Sequence, residues 1–332
     1  MRTLKKQKRH FFKTIAAALT AFTVSGLSFA HAAGYPEKPV TVILGFAAGG
    51  PTDVIGRVLA DKLSAIFKQP FVVENRAGAS GAVGANIVKK AKPDGYTLML
   101  GSSSTLSIVP NIRKDAGYDP INDFMAIALV ANYPYFLVVR GDSPFKTLDD
   151  LLAQGKKPSA ELNYASAGPG AVNHLAGEWF RTAADINATH IPYKGDAAAL
   201  SDLIAGRVDF AFIAGAAALP QVEAGRLKIL ASASSVPGRG GADIPTVGEA
   251  KIPGFAAEPW NGLMGPAGMP EDIVEKLNAA VNEAMRDPEV TAKLASMAQY
   301  PVGGTPEFFS NHIAEETKRW AKIIQDAHIV ID

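Results

Sequence analysis

The sequence predicts an α/β protein with two lobes, and three observations carry that reading. Short, β-branched apolar runs alternate with amphipathic stretches from residue 40 onward. The alternation restarts near residue 133. From Met269 the chain turns largely helical and returns to cover the first sheet, so it crosses between the two units at least twice.

The elements follow in order. "VTVILGF" (40–46) reads as a buried strand, bounded by glycine. Residues 52–67 place Val54, Ile55, Val58, Leu59, Leu63 and Ile66 on one helix face. "FVVEN" and "YTLMLGS" are further strands, with a glycine-rich loop and a helix near 81–90 between them. This β-α-β-α-β series predicts a parallel sheet covered on both faces. In the second unit "PYFLVVR", "LNYAS", "ATHIPY", "VDFAFIA" and "LKILASAS" are strands. Helices fall at 147–154, with Thr147 as cap and Asp150 at its third position, at 170–184 and at 196–206. The closing helices are 270–286, 288–298 and 306–327.

Residues 1–32 read as a secretory leader. Arg2, Lys5, Lys6, Lys8, Arg9 and Lys13 precede an apolar stretch and the small-x-small pattern Ala30-His31-Ala32, with cleavage expected after Ala32. The protein is therefore expected in the periplasm, and no cysteine is present to carry a lipid anchor or a disulfide. The leader holds six of the 33 basic residues and none of the 32 acidic ones, so its removal leaves 27 bases and a formal charge of −5. That balance argues against nucleic acid as a partner. No later stretch reaches about eighteen uninterrupted apolar residues, so no membrane span is expected.

Five small-residue loops fall at the C-terminal ends of predicted strands: 46–53, 101–105, 166–171, 193–196 and 213–217. Ligands of open parallel sheets bind there, and a helix starting at such a loop favours an anion. A dinucleotide, a phosphate, a tetrahedral intermediate and a free carboxylate all fit that description. "GFAAGGPTD" and "GASGAVG" both lack the dinucleotide spacing, although Glu74 ends the second strand. "GASGA" and "GSSST" lack the second glycine of a nucleophile elbow, and His174 and His190 read as structural before they read as bases. The histidines after the leader form no close pair, so no metal is expected. Asp53 fits a ligand or an acid, but equally a first-turn dipole complement and cap beside Thr52. Trp260 fits interlobe packing or an aromatic wall of the cleft, and Lys194 fits solvent or an ion pair to an anion.

Taken together, "YPEKPVTVILGFAAGGPTDVIGRVLADKLS", "VVENRAGASGAVGA", "PDGYTLMLGSSST", "LNYASAGPGAVNHLAGEWF", "IPYKGDAAALSDLIAGRVDF" and "PTVGEAKIPGF…PWNGLMGPAGMP" resemble the Bug/TctC family of periplasmic receptors for tripartite tricarboxylate transporters. The resemblance covers essentially the whole chain after the leader. It implies a hinged, type II-like periplasmic-binding-protein fold, with lobe 1 at 33–133 and 254–332 and lobe 2 at 134–253. It also implies a monomeric receptor, not an enzyme, that needs no cofactor and passes a small carboxylate to a membrane permease. An exported hydrolase using the same loops as an oxyanion site is the alternative. By resemblance Gly49, Gly50 and Thr52 supply donors from the first lobe, and Ser166, Gly168, Gly170 and Ala171 bind from the second. Phe46, Asp53, Ser103, Thr105, His174, Tyr193, Gly195 and Ala214, in or beside the same loops, complete the candidate ligand-binding set.

Two departures stand out. Ala47, Ala48 and Ala77 replace prolines common in the family, and residues 213–216 (Ile-Ala-Gly-Ala) replace a polar pair. The second departure predicts a roomier, less polar pocket, suited to an aromatic mono- or dicarboxylate rather than an amino acid or citrate.

Overall fold

The computed structural model describes residues 34–239 and 241–326. The leader, its cleavage point and Ala327 lie outside the described residues. The elements in chain order are β1 (Val40–Leu44), α1 (Pro51–Phe67), β2 (Phe71–Asn75), α2 (Ala82–Lys89), β3 (Thr97–Ser102) and β4 (Phe124–Asn132). There follow β5 (Tyr135–Arg140), α3 (Leu148–Gly155), β6 (Leu162–Ser166), α4 (Val172–Ala183), β7 (Ala188–Pro192), α5 (Asp196–Ile204), β8 (Phe210–Ala214), α6 (Gly215–Glu223) and β9 (Leu227–Ser232). The chain closes with β10 (Trp260–Pro266), α7 (Glu271–Arg286), α8 (Pro288–Ala295), β11 (Tyr300–Pro301) and α9 (Pro306–Asp326).

Two sheets result, in the orders β11-β4-β10-β3-β1-β2 and β7-β6-β8-β5-β9. The predicted parallel series β2-β1-β3 is present, but the sheet as a whole is mixed, because β10 inserts antiparallel between β3 and β4. In the second sheet β6 runs parallel to β7 and β8, while β5 runs antiparallel to β8 and β9. The apolar runs fill each core. Ile43, Met99, Leu129, Trp260 and Phe309 are buried together at the first sheet. Phe136, Val138, Ala165, Leu203 and Ile213 are buried at the second. Each of the larger aliphatic and phenylalanine side chains among them contributes about 1.5–3 kcal/mol by leaving water.

Helix α1 lays Ile55, Val58, Leu59 and Leu63 on its sheet as the periodicity requires. A Cβ at Gly56 would sit 2.8 Å from Leu44, so glycine there lets helix and strand approach closely. Thr147 and Asp150 form the complete reciprocal cap of α3. Helices α7 and α9 pack on β4, as expected of the returning chain, although Ala298 is buried with the second core.

The crossings between the sheets run side by side. Tyr133 N–H donates to Pro259, Ala233 N–H to Tyr135, and Ala257 N–H to Ala233, at 3.0, 2.8 and 2.8 Å. Arg239 ties them further, donating to Asn132 at 3.3 Å and Glu258 at 3.1 Å.

Candidate functional site

The cleft between the sheets holds a small cavity of about 70 Å³, open to solvent. The first sheet lines it with Phe46–Ala48, Gly50–Thr52 and Ser102–Ser104. The second contributes Ala167, Ala171 and Lys194–Ala197, and the crossings add Tyr133, Tyr135 and Pro259. A second cavity of about 530 Å³ continues outward, sharing Phe46, Ala47, Ala167, Lys194 and Gly195 with the first. Arg113, Ser80, Gly168, Pro169 and Tyr193 line this outer part.

Three helices start at the inner cavity: α1 at Pro51, α4 after Ala171 and α5 after Gly195. None is capped by the side chain of its own N-cap residue. First-turn N–H groups have no acceptor within their own helix, and the helix dipole makes that end partly positive. Val172 N–H, on α4, donates to Ser104 Oγ at 3.2 Å across the cleft. Those of Thr52 on α1 and of Asp196 and Ala197 on α5 belong to cavity-lining residues. Lys194 and Arg113 add local positive charge at the outer cavity.

The glycine loops themselves turn much of their hydrogen bonding inward. Asp53 accepts from Gly49 N–H at 3.0 Å, from Asn75 Nδ2 at 3.0 Å, and from Arg57 Nε and Nη2 at 2.9 Å each. Burial pushes its carboxyl up, but the bonds from Arg57, Gly49 and Asn75 outweigh burial and hold it below the usual range. Asp53 and Gly49 therefore close the loop on itself, and neither lines the cavities. The structure gives both a role in holding the loop.

The second loop does the same with neutral groups. Gly168 N–H donates to Ser166 Oγ at 3.1 Å, and Gly170 N–H to His174 Nδ1 at 3.2 Å. His190 Nε2 lies 2.6 Å from Ser166 Oγ, and the His174 and His190 rings stack with centroids 4.0 Å apart. Burial pushes both imidazoles down to about 4, and for His190 the neighbouring His174 adds to it, so the pair is neutral. Ser166, Gly170 and His174 stand behind the cavity wall, whereas Gly168 and Ala171 line it.

The remaining candidates divide similarly. Phe46, Gly50, Thr52, Ser103 and Gly195 line the inner cavity, and Tyr193 the outer. Thr52 accepts from Asn261 at 3.2 Å and hydrogen-bonds the Tyr133 phenol. Thr105 is buried, 3.1 Å from Ser102 Oγ and donating to Ser80 O at 3.0 Å, so it fixes the loop before α2. Ala214 pairs with Tyr135 in the ladder, and Gly215 beside it packs against Met297 and Ala298. Residues 213–216 line neither cavity, so the expected widening of the pocket there has no geometric basis. Trp260 is buried against Phe309 and His312, away from the cleft.

Sequence reasoning left out Tyr133, Tyr135, Ser102, Ser104 and Asp196 as site residues. Their signal was present: "SSS" and "YKGD" lie in loops already singled out, and "NYPY" sits where the pattern restarts. Among the described residues no cluster of three or more His, Cys, Asp or Glu could hold a metal ion. No described helix is long and apolar enough to cross a membrane.

Two sheets joined by paired crossings, with a cavity ringed by helix N-termini, define the two-lobed class of solute-binding proteins. The comparisons give the family. Residues 55–329 match the family model TctC, "Tripartite tricarboxylate transporter family receptor". "Protein BugT" of Bordetella pertussis is 37% identical over 299 residues, covering 88% of this chain and 90% of its own. The solved structure of R. palustris Rpa4515 with adipate has 33% identity and a TM-score of 0.86, covering 89% of this chain and 99% of its own. MatC (Rpa3494) from Rhodopseudomonas palustris with bound malate has 32% identity and a TM-score of 0.80, covering 87% and 100%. The chain belongs to the TctC family of receptors.

Proposed function

We propose that the protein is an exported periplasmic receptor that closes on a small carboxylate and passes it to the membrane permease of a tripartite tricarboxylate transporter. The observation that carries this reading is the convergence on one hydroxyl-lined cavity of three helix N-termini, none capped by its own N-cap side chain. Thr52, Ser103, Ala171 and Gly195 are the proposed contacts from the original set, joined by Ser102, Ser104, Tyr133 and Tyr135. Phe46, Pro51 and Pro259 are the surfaces proposed for the apolar part of the ligand. The relatives solved with adipate and malate support the carboxylate class. An aromatic ligand was expected from residues 213–216, which lie away from the cavity, so we do not restrict the class to aromatics. The rigid bodies that close are proposed to be 33–133 with 254–332, and 134–253.

The Ser166–His190 contact is the one pairing that a hydrolase would need. Ser166 is fully buried, lines neither cavity and already receives Gly168 N–H. Glu178, the acid nearest in sequence to His174, is engaged by Tyr164 and Arg181. Both observations favour the receptor.

A thermal-shift screen of the chain from Ala33, against aliphatic and aromatic carboxylates, tests the reading. A ligand at a hundred times its Kd should add about 2.7 kcal/mol, a rise of roughly 5 °C. Silence across every carboxylate would overturn it.

A further inference from the structure

Asp196 runs against the rest of the cavity. Three helix N-termini favour a negative ligand there, yet the wall already carries a carboxylate. That carboxylate is held in place. Asn173 Nδ2 donates to Asp196 Oδ1 at 2.8 Å, and Asn173, fully buried, is itself fixed by Ala167 N–H donating to its Oδ1 at 3.1 Å. Among the described residues no hydrogen bond reaches Asp196 Oδ2. Tyr133 and Tyr135 face the acid from the crossings; burial first and the Asp196 charge second push their phenols up, so both stay protonated. Lys194 stands two positions earlier and lines the same cavity.

We propose that Asp196 determines specificity: its free oxygen accepts from a hydrogen-bond donor on the ligand, a hydroxyl or an ammonium beside the ligand's carboxylate. This rests on the carboxylate-receptor reading and narrows it to hydroxy or amino acids. A bare carboxylate brought against a fixed carboxylate is repelled, and it shuts water away from the free oxygen of the half-buried acid without putting a donor in its place. Supplying the donor removes both penalties at once. Burial, set against the single bond from Asn173, pushes the Asp196 carboxyl up to about 6, as expected of an acid short of donors.

Titration calorimetry at pH 7.5 tests this with three matched sets: succinate, malate and aspartate; propanoate, lactate and alanine; 3-phenylpropanoate, 3-phenyllactate and phenylalanine. In whichever set binds, the hydroxy or amino member should bind at least about tenfold tighter than the unsubstituted acid. Whether hydroxyl or ammonium wins identifies the donor. In Asp196→Asn, and in Asp196→Ser as a second variant, that ratio should shrink to about twofold, with the unsubstituted acid binding more tightly than before. If the unsubstituted acid binds the unaltered protein equally well, or the variants keep the ratio, the assignment falls and the carboxylate reading stands. If none of the nine binds, the assignment falls, and the carboxylate reading falls with it only if the wider thermal-shift screen is silent as well.

Discussion

Two glycine-rich loops face each other across the cleft, and they are secured by opposite chemistries. The loop before α1 is pinned by a charge: Asp53 gathers Gly49, Asn75 and Arg57 into one buried acceptor. The loop before α4 is pinned by neutral groups, with Ser166 and His174 taking the Gly168 and Gly170 N–H groups and His190 behind them. The difference teaches how a cleft can present positive helix ends without collapsing onto its own acid. Asp53 is neutralised by Arg57 and turned away from the cavity. Asp196, which does line the cavity, has among the described residues only the Asn173 side chain as a donor.

The largest effect should come from breaking the charged clasp. Asp53→Ala leaves four donor groups on three residues without their acceptor, and should cost about 2–4 kcal/mol in urea unfolding; the exposed Arg57 end stays hydrated and moderates the loss. Ser166→Ala removes a neutral acceptor and should cost less than half of that. Equal costs would erase the distinction between the loops.

Asp196→Asn should stabilise the unliganded protein at pH 7.5, by roughly 1–3 kcal/mol. The native carboxyl, at about 6, lies above its ordinary value, so its charged form is disfavoured by folding. The gain should fade as pH falls from about 6 towards 4, where the native acid is protonated as well. A variant that is less stable at pH 7.5 would mean that the acid is better satisfied than its neighbours indicate.

Acid should loosen the second loop before the first. His174 and His190 titrate in the native state near 4, below the ordinary value, so the unfolded chain takes up protons first as pH drops. Stability should decline between about pH 6.5 and 4, by on the order of 1–2 kcal/mol per histidine at pH 5. Asp53, held low, should keep its contribution until pH falls below its ordinary 3.8. Hydrogen exchange at pH 5, corrected for intrinsic rates, should show lost protection around Gly168–Leu175 and none around Gly49–Arg57.

The smallest effect is at Gly49, where φ is +85° and an added Cβ would meet nothing within 4 Å. Gly49→Ala should cost only the left-handed backbone penalty, roughly 1 kcal/mol by the same unfolding assay. At Gly170, φ is +77° and the added Cβ would lie 2.4 Å from Ile112 across the cleft. Gly170→Ala should therefore weaken ligand binding more than folding, visible as a larger change in Kd than in unfolding free energy.

Much of the molecule was legible in local patterns. The strands of the first βαβ series, α1 with its apolar face, and the Thr147–Asp150 cap all follow from periodicity and spacing within a few residues. β4 and β10 escaped notice. "WNGLMGP" carries two glycines and a proline, poor credentials for a strand, and becomes one because β3 and β4 flank it on both sides. Gly262 also gives way to the Phe309 ring, 2.1 Å from where a Cβ would stand, which no local pattern announces.

The sequence by itself determined the alternation of elements, the small-residue loops at strand ends and the choice of α/β architecture, because side-chain periodicity and glycine placement act over a few residues. Tertiary structure alone decided the mixed order of the sheet, and which loop donors serve the loop rather than the cavity. It also decided the meeting of Tyr133, Tyr135 and Asp196. Those outcomes depend on partners distant in the chain: a hydrogen-bond donor has one best acceptor, and only the packed fold brings the competing acceptors within reach.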